Sequence, residues 1–223
     1  VTTFVLIPGA GGVAWYWHRV VPLLSAEGHR AVVVDLPGDD QHAGLPEYAE
    51  IARQAMAQSG PVTVVGQSLG GFTAAAVSGD PGVSGLIFVN AMIPKPGETA
   101  GAWWDNTGAG EARVAAAVAG GYSTEFDVDT YFLHDVPAEV AAAGADEQRD
   151  ESDAIFGSVC DFAWPDVPIT VIAGADDRFF PVDFQRRVAH ERLRVAPVVV
   201  PGGHLLALSN PEGLVRELLA AGQ

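Results

Sequence analysis

Ser68 lies in Gly66-Gln67-Ser68-Leu69-Gly70, a G-x-S-x-G spacing that follows the apolar run Val62–Val65 and precedes the helix-prone stretch Phe72–Val77. A strand that turns this sharply into a helix holds its serine in a strained backbone conformation. Side chains two residues before and two after would collide, so Gly66 and Gly70 clear the space. Gly71 adds room between helix and sheet. The same turn sets Ser68 at a helix N-terminus and leaves the amide of Leu69 facing a developing oxyanion. A serine hydroxyl becomes a nucleophile only when a base takes its proton and an acid orients that base. For this elbow the chain order is serine, then Asp or Glu, then His.

Both partners occur in that order. "GADDRFFP", Gly174 to Pro181, follows the apolar run Ile169–Ala173 and offers Asp176 and Asp177, and "PGGHLLALSNPE" places His204 after Val198–Val200. His18, His29, His42 and His190 have no such position and read as ordinary histidines. In "YFLHDVP" a helix end before Pro137 accounts for His134 and Asp135, which leaves His134 as a substrate-contact candidate only. A fourth part is "LIPGAGGVAWYW", Leu6 to Trp17, where the amide of Ala10 is the second candidate oxyanion donor and Gly9 and Gly11 let a substrate approach the backbone. Asp35 in "VVVDLPG" reads as a loop-ordering residue outside the chemistry.

These residues need a scaffold that brings strand ends together. Phe4–Ile7, Ala31–Val34, Val62–Val65, Leu86–Val89, Ile169–Ala173 and Val198–Val200 are short apolar runs rich in β-branched residues and predict buried parallel strands. Helical patterns lie between them. Tyr48, Ile51, Ala52, Ala55 and Met56 make one apolar stripe that stops at Gly60-Pro61, and Asn210-Pro211 begins a last helix carrying Leu214, Val215, Leu218 and Leu219. Alternating strands and helices predict an α/β fold with a mostly parallel sheet of about six strands, in which ligands bind at the carboxyl ends. The alternation fails between Ala91 and Trp164. There Glu111–Ala119, Thr124–Leu133 and Pro137–Arg149 read as successive helices without a strand. The expectation is a core of residues 1–91 and 166–223 with a helical cap inserted at 92–165. Trp103, Trp104, Phe132, Phe156 and Trp164 give that cap its aromatic mass, with Trp103 and Phe132 as pocket candidates.

Composition narrows the partners. With 223 residues, 48% hydrophobic and 18% charged, the chain can bury a sizeable core. A formal net charge of -16 disfavours nucleic acid and anionic membrane surfaces and points to a small-molecule partner. Cys160 is the single cysteine, and no Cys/His group has zinc spacing, so no metal is expected. Phe4–Ile7 is too short to span a membrane and lacks signal-peptide flanks, which places the expected location in the cytoplasm.

Taken together, the four segments resemble the α/β-hydrolase superfamily over essentially the whole chain. "FVLIPGAGGVAWYWHRVVPLLSAEGHRAVVVDLPG" is most similar to its small branch of plant-type methylesterases, hydroxynitrile lyases and bacterial relatives. The resemblance implies Ser68 as nucleophile, His204 as base and Asp177 as acid, because the branch pattern is G-x-x-D with a proline four residues later. Asp176 is the alternative. Asn90 stands where some hydrolases carry the acid, and an amide cannot stabilise an imidazolium by charge. Pro8 replaces a histidine common before the oxyanion glycine, and Gln67 one common before the nucleophile. Gly9 stands where the related lyases carry a hydroxyl residue, and Leu205 where they carry a lysine that handles cyanide. Both differences favour hydrolysis, so the expected reaction is cofactor-free cleavage of a small, largely apolar ester, with Leu205 as a pocket candidate. Carbon–carbon bond hydrolysis, hydroxynitrile lysis and a non-catalytic binding role are the alternatives. Ser68 excludes dehalogenases and epoxide hydrolases of this fold, which need aspartate at the elbow.

Overall fold

In a computed structural model, residues 1–57 and 59–222 are described. Each predicted apolar run is a strand: β1 (Thr3–Ile7), β2 (Arg30–Val33), β3 (Val62–Gln67) and β4 (Val83–Val89) in the first part of the chain. Two further strands, β5 (Glu98–Thr99) and β6 (Val159–Cys160), pair with each other, and β7 (Ile169–Gly174) and β8 (Val198–Val200) complete the main sheet. The main sheet has the order β2-β1-β3-β4-β7-β8, with every pair parallel.

Burial on both faces explains why these runs are apolar throughout. Successive residues of β1 serve opposite cores. Val5 and Ile7 pack with Tyr48 and Ala52 of α2 (Leu45–Met56), Phe72 and Ala75 of α3 (Gly70–Ala76) and Val188 of α7 (Val182–Leu193). Phe4 and Leu6 pack instead with Val20 and Leu24 of α1 (Val20–Ala26) and Leu214 and Leu218 of α9 (Pro211–Ala221). The Asn210 side chain caps α9 by accepting from the Gly213 amide at 3.0 Å, with Pro211 at the first helical position.

The chain runs from β1 outward to β2 and then back across to β3, so the sheet reverses its winding between β1 and β3. Such a reversal leaves a crevice beyond the strand ends, since the flanking connections depart to opposite sides. The loops after β1 and β3 carry Ala10 and Ser68, one on each side of it.

The segment between β4 and β7 departs from expectation in three ways. It contains the β5–β6 ribbon, a pairing too short to announce itself by alternation. Thr124–Leu133 is not a helix: only Asp129–Leu133 winds, as a single π-helical turn. Pro137–Arg149 is likewise shorter than expected, with α6 (Ala138–Ala143) and a 3-10 turn at Ala145–Glu147 separated by Gly144. The helix-breaking Gly144 and an alanine-rich apolar face too weak to bind a long helix account for the shortening. The segment also holds α4 (Ala100–Thr107), capped by the Thr99 hydroxyl, and α5 (Ala109–Gly120). Its base is fixed to the core where Arg192 of α7 meets Glu98 of β5 at 2.5 and 3.0 Å, with both side chains buried.

Candidate active site

Ser68 has φ 49°, a left-handed conformation unusual for a residue with a side chain. The neighbouring packing enforces it. A Cβ on Gly66 would meet the Gly70 carbonyl at 2.6 Å and Ala74 at 2.9 Å, and one on Gly70 would strike the Pro8 carbonyl. The backbone on either side is pinned, with the Ser68 N–H donating to Val89 at 3.2 Å and the Ser68 carbonyl accepting from Gly71 at 3.0 Å and Met92 at 2.9 Å.

Ser68 Oγ lies 3.0 Å from Nε2 of His204, and Nδ1 of the same ring lies 2.9 Å from Oδ2 of Asp177. A carboxylate only accepts, so Nδ1 carries the proton and Nε2 is free to accept from the serine hydroxyl. His204 lies 136 residues from Ser68 and 27 from Asp177 along the chain, yet His204, Asp177 and Ser68 are 1%, 4% and 7% exposed in one cluster. Asp177 is held by the Phe179 and Phe180 amides, each 2.8 Å from Oδ1, and by Gln185 at 3.2 Å from Oδ2. Asp176 faces elsewhere and accepts from the Gly202 amide at 3.1 Å. Asn90 serves the backbone: its amide nitrogen donates to the Gly203 and His204 carbonyls, each at 3.0 Å, while its oxygen accepts from Gly174 at 2.7 Å.

Two amide N–H groups close to Ser68, those of Ala10 and Leu69, are free of hydrogen bonds among the described residues. Gly11 is different, for its N–H donates to Oε2 of Glu151 at 2.6 Å and its Cα is covered by the Arg149 backbone. The sequence-based assignment of Gly11 to the substrate surface is therefore corrected: it is the point where the returning chain at 149–151 holds the loop. Glu151 also accepts from the Tyr48 hydroxyl at 2.5 Å. Burial pushes the Glu151 carboxyl above its ordinary range, against the opposing hydrogen bonds from Tyr48 and Gly11. Asp35 orders the same loop, accepting from the Ala14 amide at 2.9 Å and pairing with Arg149 at 3.3 Å.

A cavity of about 120 Å³ opens onto Ser68 and His204. Pro8, Gly9, Ala10, Trp15, Tyr16, Phe132, Leu205, Leu208 and residues Glu147 to Arg149 line it. Tyr16 stays a neutral phenol, since burial drives its titration far above the ordinary value. Gly9 is required by close approach: a side chain there would meet Gln67 Oε1 at 2.5 Å and Ser68 Cβ at 3.0 Å.

Of the remaining candidates, Phe132 and Leu205 reach the cavity and Trp103 and His134 do not. Trp103 is fully buried, donates from Nε1 to Ile93 at 3.0 Å and packs edge-on against Phe180 at 5.2 Å and Phe184 at 5.8 Å, which makes it core. An indole has more apolar area to bury than any other side chain, and here the base of the insertion takes all of it. His134 stands behind the His204 loop, its Nε2 3.9 Å from Asp135. Gln67 was given no role by sequence, yet it lines the cavity and donates to the His204 carbonyl at 3.4 Å. Its place immediately before the serine was the one signal available.

A family model described as the Alpha/beta hydrolase family matches residues 4–217. The chain belongs to this family. It is similar to a probable esterase of rice (Oryza sativa), PIR7A, at 36% identity over 44% of this chain and 42% of that one, so the match spans less than half of the rice protein's length. It is also similar to a pyrethroid hydrolase of Sphingobium wenxiniae, 28% identical over 98% of this chain and 86% of that one. A crystal structure of a pyrethroid hydrolase from Sphingobium faniae JZ-2 superposes with a TM-score of 0.76 at 24% identity, covering 98% of this chain and 96% of that one, and shares its fold. Among the described residues, no helix is long and apolar enough to cross a membrane and no cluster of His, Cys, Asp and Glu could hold a metal ion.

Proposed function

We propose that this chain is a serine carboxylesterase that cleaves a small, largely apolar ester through an acyl-enzyme. One observation carries the reading: the continuous hydrogen-bonded series Ser68–His204–Asp177 ends beside two amides without partners among the described residues. His204 Nε2 takes the Ser68 proton as Oγ attacks the ester carbonyl carbon, and the amides of Ala10 and Leu69 receive the oxyanion. Collapse breaks the bond to the alcohol oxygen, which leaves with the proton held on His204. Water then gives a proton to His204 and attacks the acyl carbon, releasing the acid and restoring Ser68. Asp177 keeps the imidazole in the tautomer that both steps need and stabilises the imidazolium.

The cavity supports the substrate class. Its volume of about 120 Å³ is close to the roughly 150 Å³ that accommodates a benzene ring in a dry cavity. The apolar walls suit an acyl or alcohol group of that size, and a net charge of -16 disfavours anionic substrates. Relatives named as an esterase and a pyrethroid hydrolase agree with this reading. The segment at 92–165 is, on this proposal, the cap that sets specificity.

Labelling with a fluorophosphonate followed by peptide mapping tests the assignment, with modification expected at Ser68 in the folded protein and lost on heating. An unmodified Ser68 overturns it. A panel of short p-nitrophenyl esters, a vinylogous diketone and mandelonitrile then separates ester hydrolysis from carbon–carbon cleavage and cyanide elimination.

A further inference from the structure

The segment "YFLHDVP" reaches the catalytic centre, although neither His134 nor Asp135 lines the cavity. Two contacts from this one stretch converge on His204. The Phe132 ring lies over the imidazole at 4.9 Å between centroids and 17° between planes. Three residues later, Oδ2 of Asp135 accepts the Gly203 N–H at 2.5 Å. Gly203 is packed so tightly under this arm that a Cβ there would meet Asp135 Oδ1 at 2.7 Å and His134 Nε2 at 2.8 Å.

The arm is itself held rigidly. Arg178 donates to the Thr130 carbonyl at 3.1 Å, the buried Tyr131 donates to Ser123 at 2.5 Å, and Val136 is sealed in the core beside Trp17 and Leu206. On the core side, Asn90 grips the carbonyls of Gly203 and His204. The Gly203 N–H faces the other way, and the arm supplies the only acceptor it has among the described residues.

We propose that the arm Phe132–Asp135 is the positioning element of the His204 base: Phe132 fixes the plane of the imidazole and Asp135 fixes the backbone from which it projects. The inference rests on the triad reading. A base must keep one orientation while it takes a proton from Ser68 and returns it to the leaving alcohol, and a displacement of about 1 Å costs on the order of a hundredfold in rate. A π face is also a neighbour that an imidazolium prefers. Seating of the inserted segment and orientation of the base are thereby one event.

The test measures kcat, KM and thermal midpoint with p-nitrophenyl butyrate for D135A, D135N, F132L and F132Y, beside S68A and H204A. The His204 Nδ1 proton resonance is followed by NMR in each. D135A is expected to lower kcat by about ten- to a hundredfold with KM little changed and the Nδ1 resonance broadened. D135N regains most of the rate, because an amide oxygen still accepts from Gly203. F132L lowers kcat and F132Y, which keeps the ring, regains it, a comparison that stands even if D135A does not fold. Wild-type kcat in D135A and F132L while S68A and H204A are inactive overturns the inference alone. Losses that D135N and F132Y do not repair, and that follow the thermal midpoint, overturn it in favour of a purely structural arm. Activity in S68A or H204A overturns the triad reading instead.

Discussion

Ser68, Asp177 and His204 each sit in a loop directly after a parallel strand, whereas Phe132, Glu147 and Arg149 reach the same cavity from a segment that shares no strand with the main sheet. The first group is placed by the register of β3, β7 and β8, in which Gln67 pairs with Val89 and Gly174 with Val200. A few hydrogen bonds per loop then suffice. The second group is placed largely by side chains: the Arg192–Glu98 pair at the base, the Trp103 cluster, and the Arg149–Glu151 strap over the loop after β1. The proposed chemistry lies in the region whose geometry the backbone fixes, while the other region contributes shape and the arm against His204.

Breaking the first region should erase turnover without unfolding the protein. Ser68→Ala is expected to lower kcat by roughly a million-fold, with an unchanged thermal midpoint, measured by burst-free ester hydrolysis at high enzyme concentration. Asp177→Asn should cost about 10⁴-fold in kcat, while Asp176→Asn, which touches only the Gly202 amide, should cost about fivefold or less. Equal losses in the two aspartate variants would mean that the wrong carboxylate has been assigned.

Breaking the base of the second region, away from the Phe132–Asp135 arm, should unfold or loosen the molecule before it touches the chemical step. Trp103→Ala empties the base of the insertion and is expected to cost about 3–5 kcal/mol in denaturant unfolding. Glu98→Gln strands the buried Arg192 and should cost about 3 kcal/mol at neutral pH. That cost depends on pH. Burial alone would raise the Glu98 carboxyl, but hydrogen bonds from Arg192, Asn106 and the Lys95 amide outweigh it and hold it below its ordinary value of 4.5. A depressed folded-state value means the ion pair contributes fully above pH 4.5 and loses that contribution as pH falls through the folded value. The stability gap between wild type and Glu98→Gln should therefore narrow below that pH, as thermal melts along an acid series would report. The smallest effect belongs to the outer face of the insertion: Val118 is 70% exposed, and Val118→Ser should change stability by no more than about 0.5 kcal/mol.

The two regions also differ in how far they could be read in advance. Continuous β-branched runs located all six strands of the main sheet to within a few residues, because strands buried on both faces admit little else. The insertion gave no equivalent pattern. Its two-residue ribbon strands are shorter than any periodicity, and its alanine-rich stretches carry too little apolar area to show where a helix stops. Trp103 illustrates the limit. Its bulk announced burial, but whether an indole lines a pocket or fills a core depends on whether Phe180 and Phe184, some eighty residues away, close over it.

Sequence alone marked the candidates for the reacting atoms. A serine that needs glycines on both sides, an aspartate and a histidine each following an apolar run, and a glycine-rich loop are local signals, because each reflects steric or electronic demands within a few bonds. Tertiary structure decided which of them meet and what stands around them. It separated Asp177 from Asp176, whose carboxylates differ in direction and not in chemistry. It committed the Gly11 amide to Glu151 and, among the described residues, gave that of Ala10 no acceptor. It also drew Gln67, Phe132 and Asp135 around His204. Contacts between residues far apart in the chain arise from the summed packing of two cores, and no short stretch of sequence contains that sum.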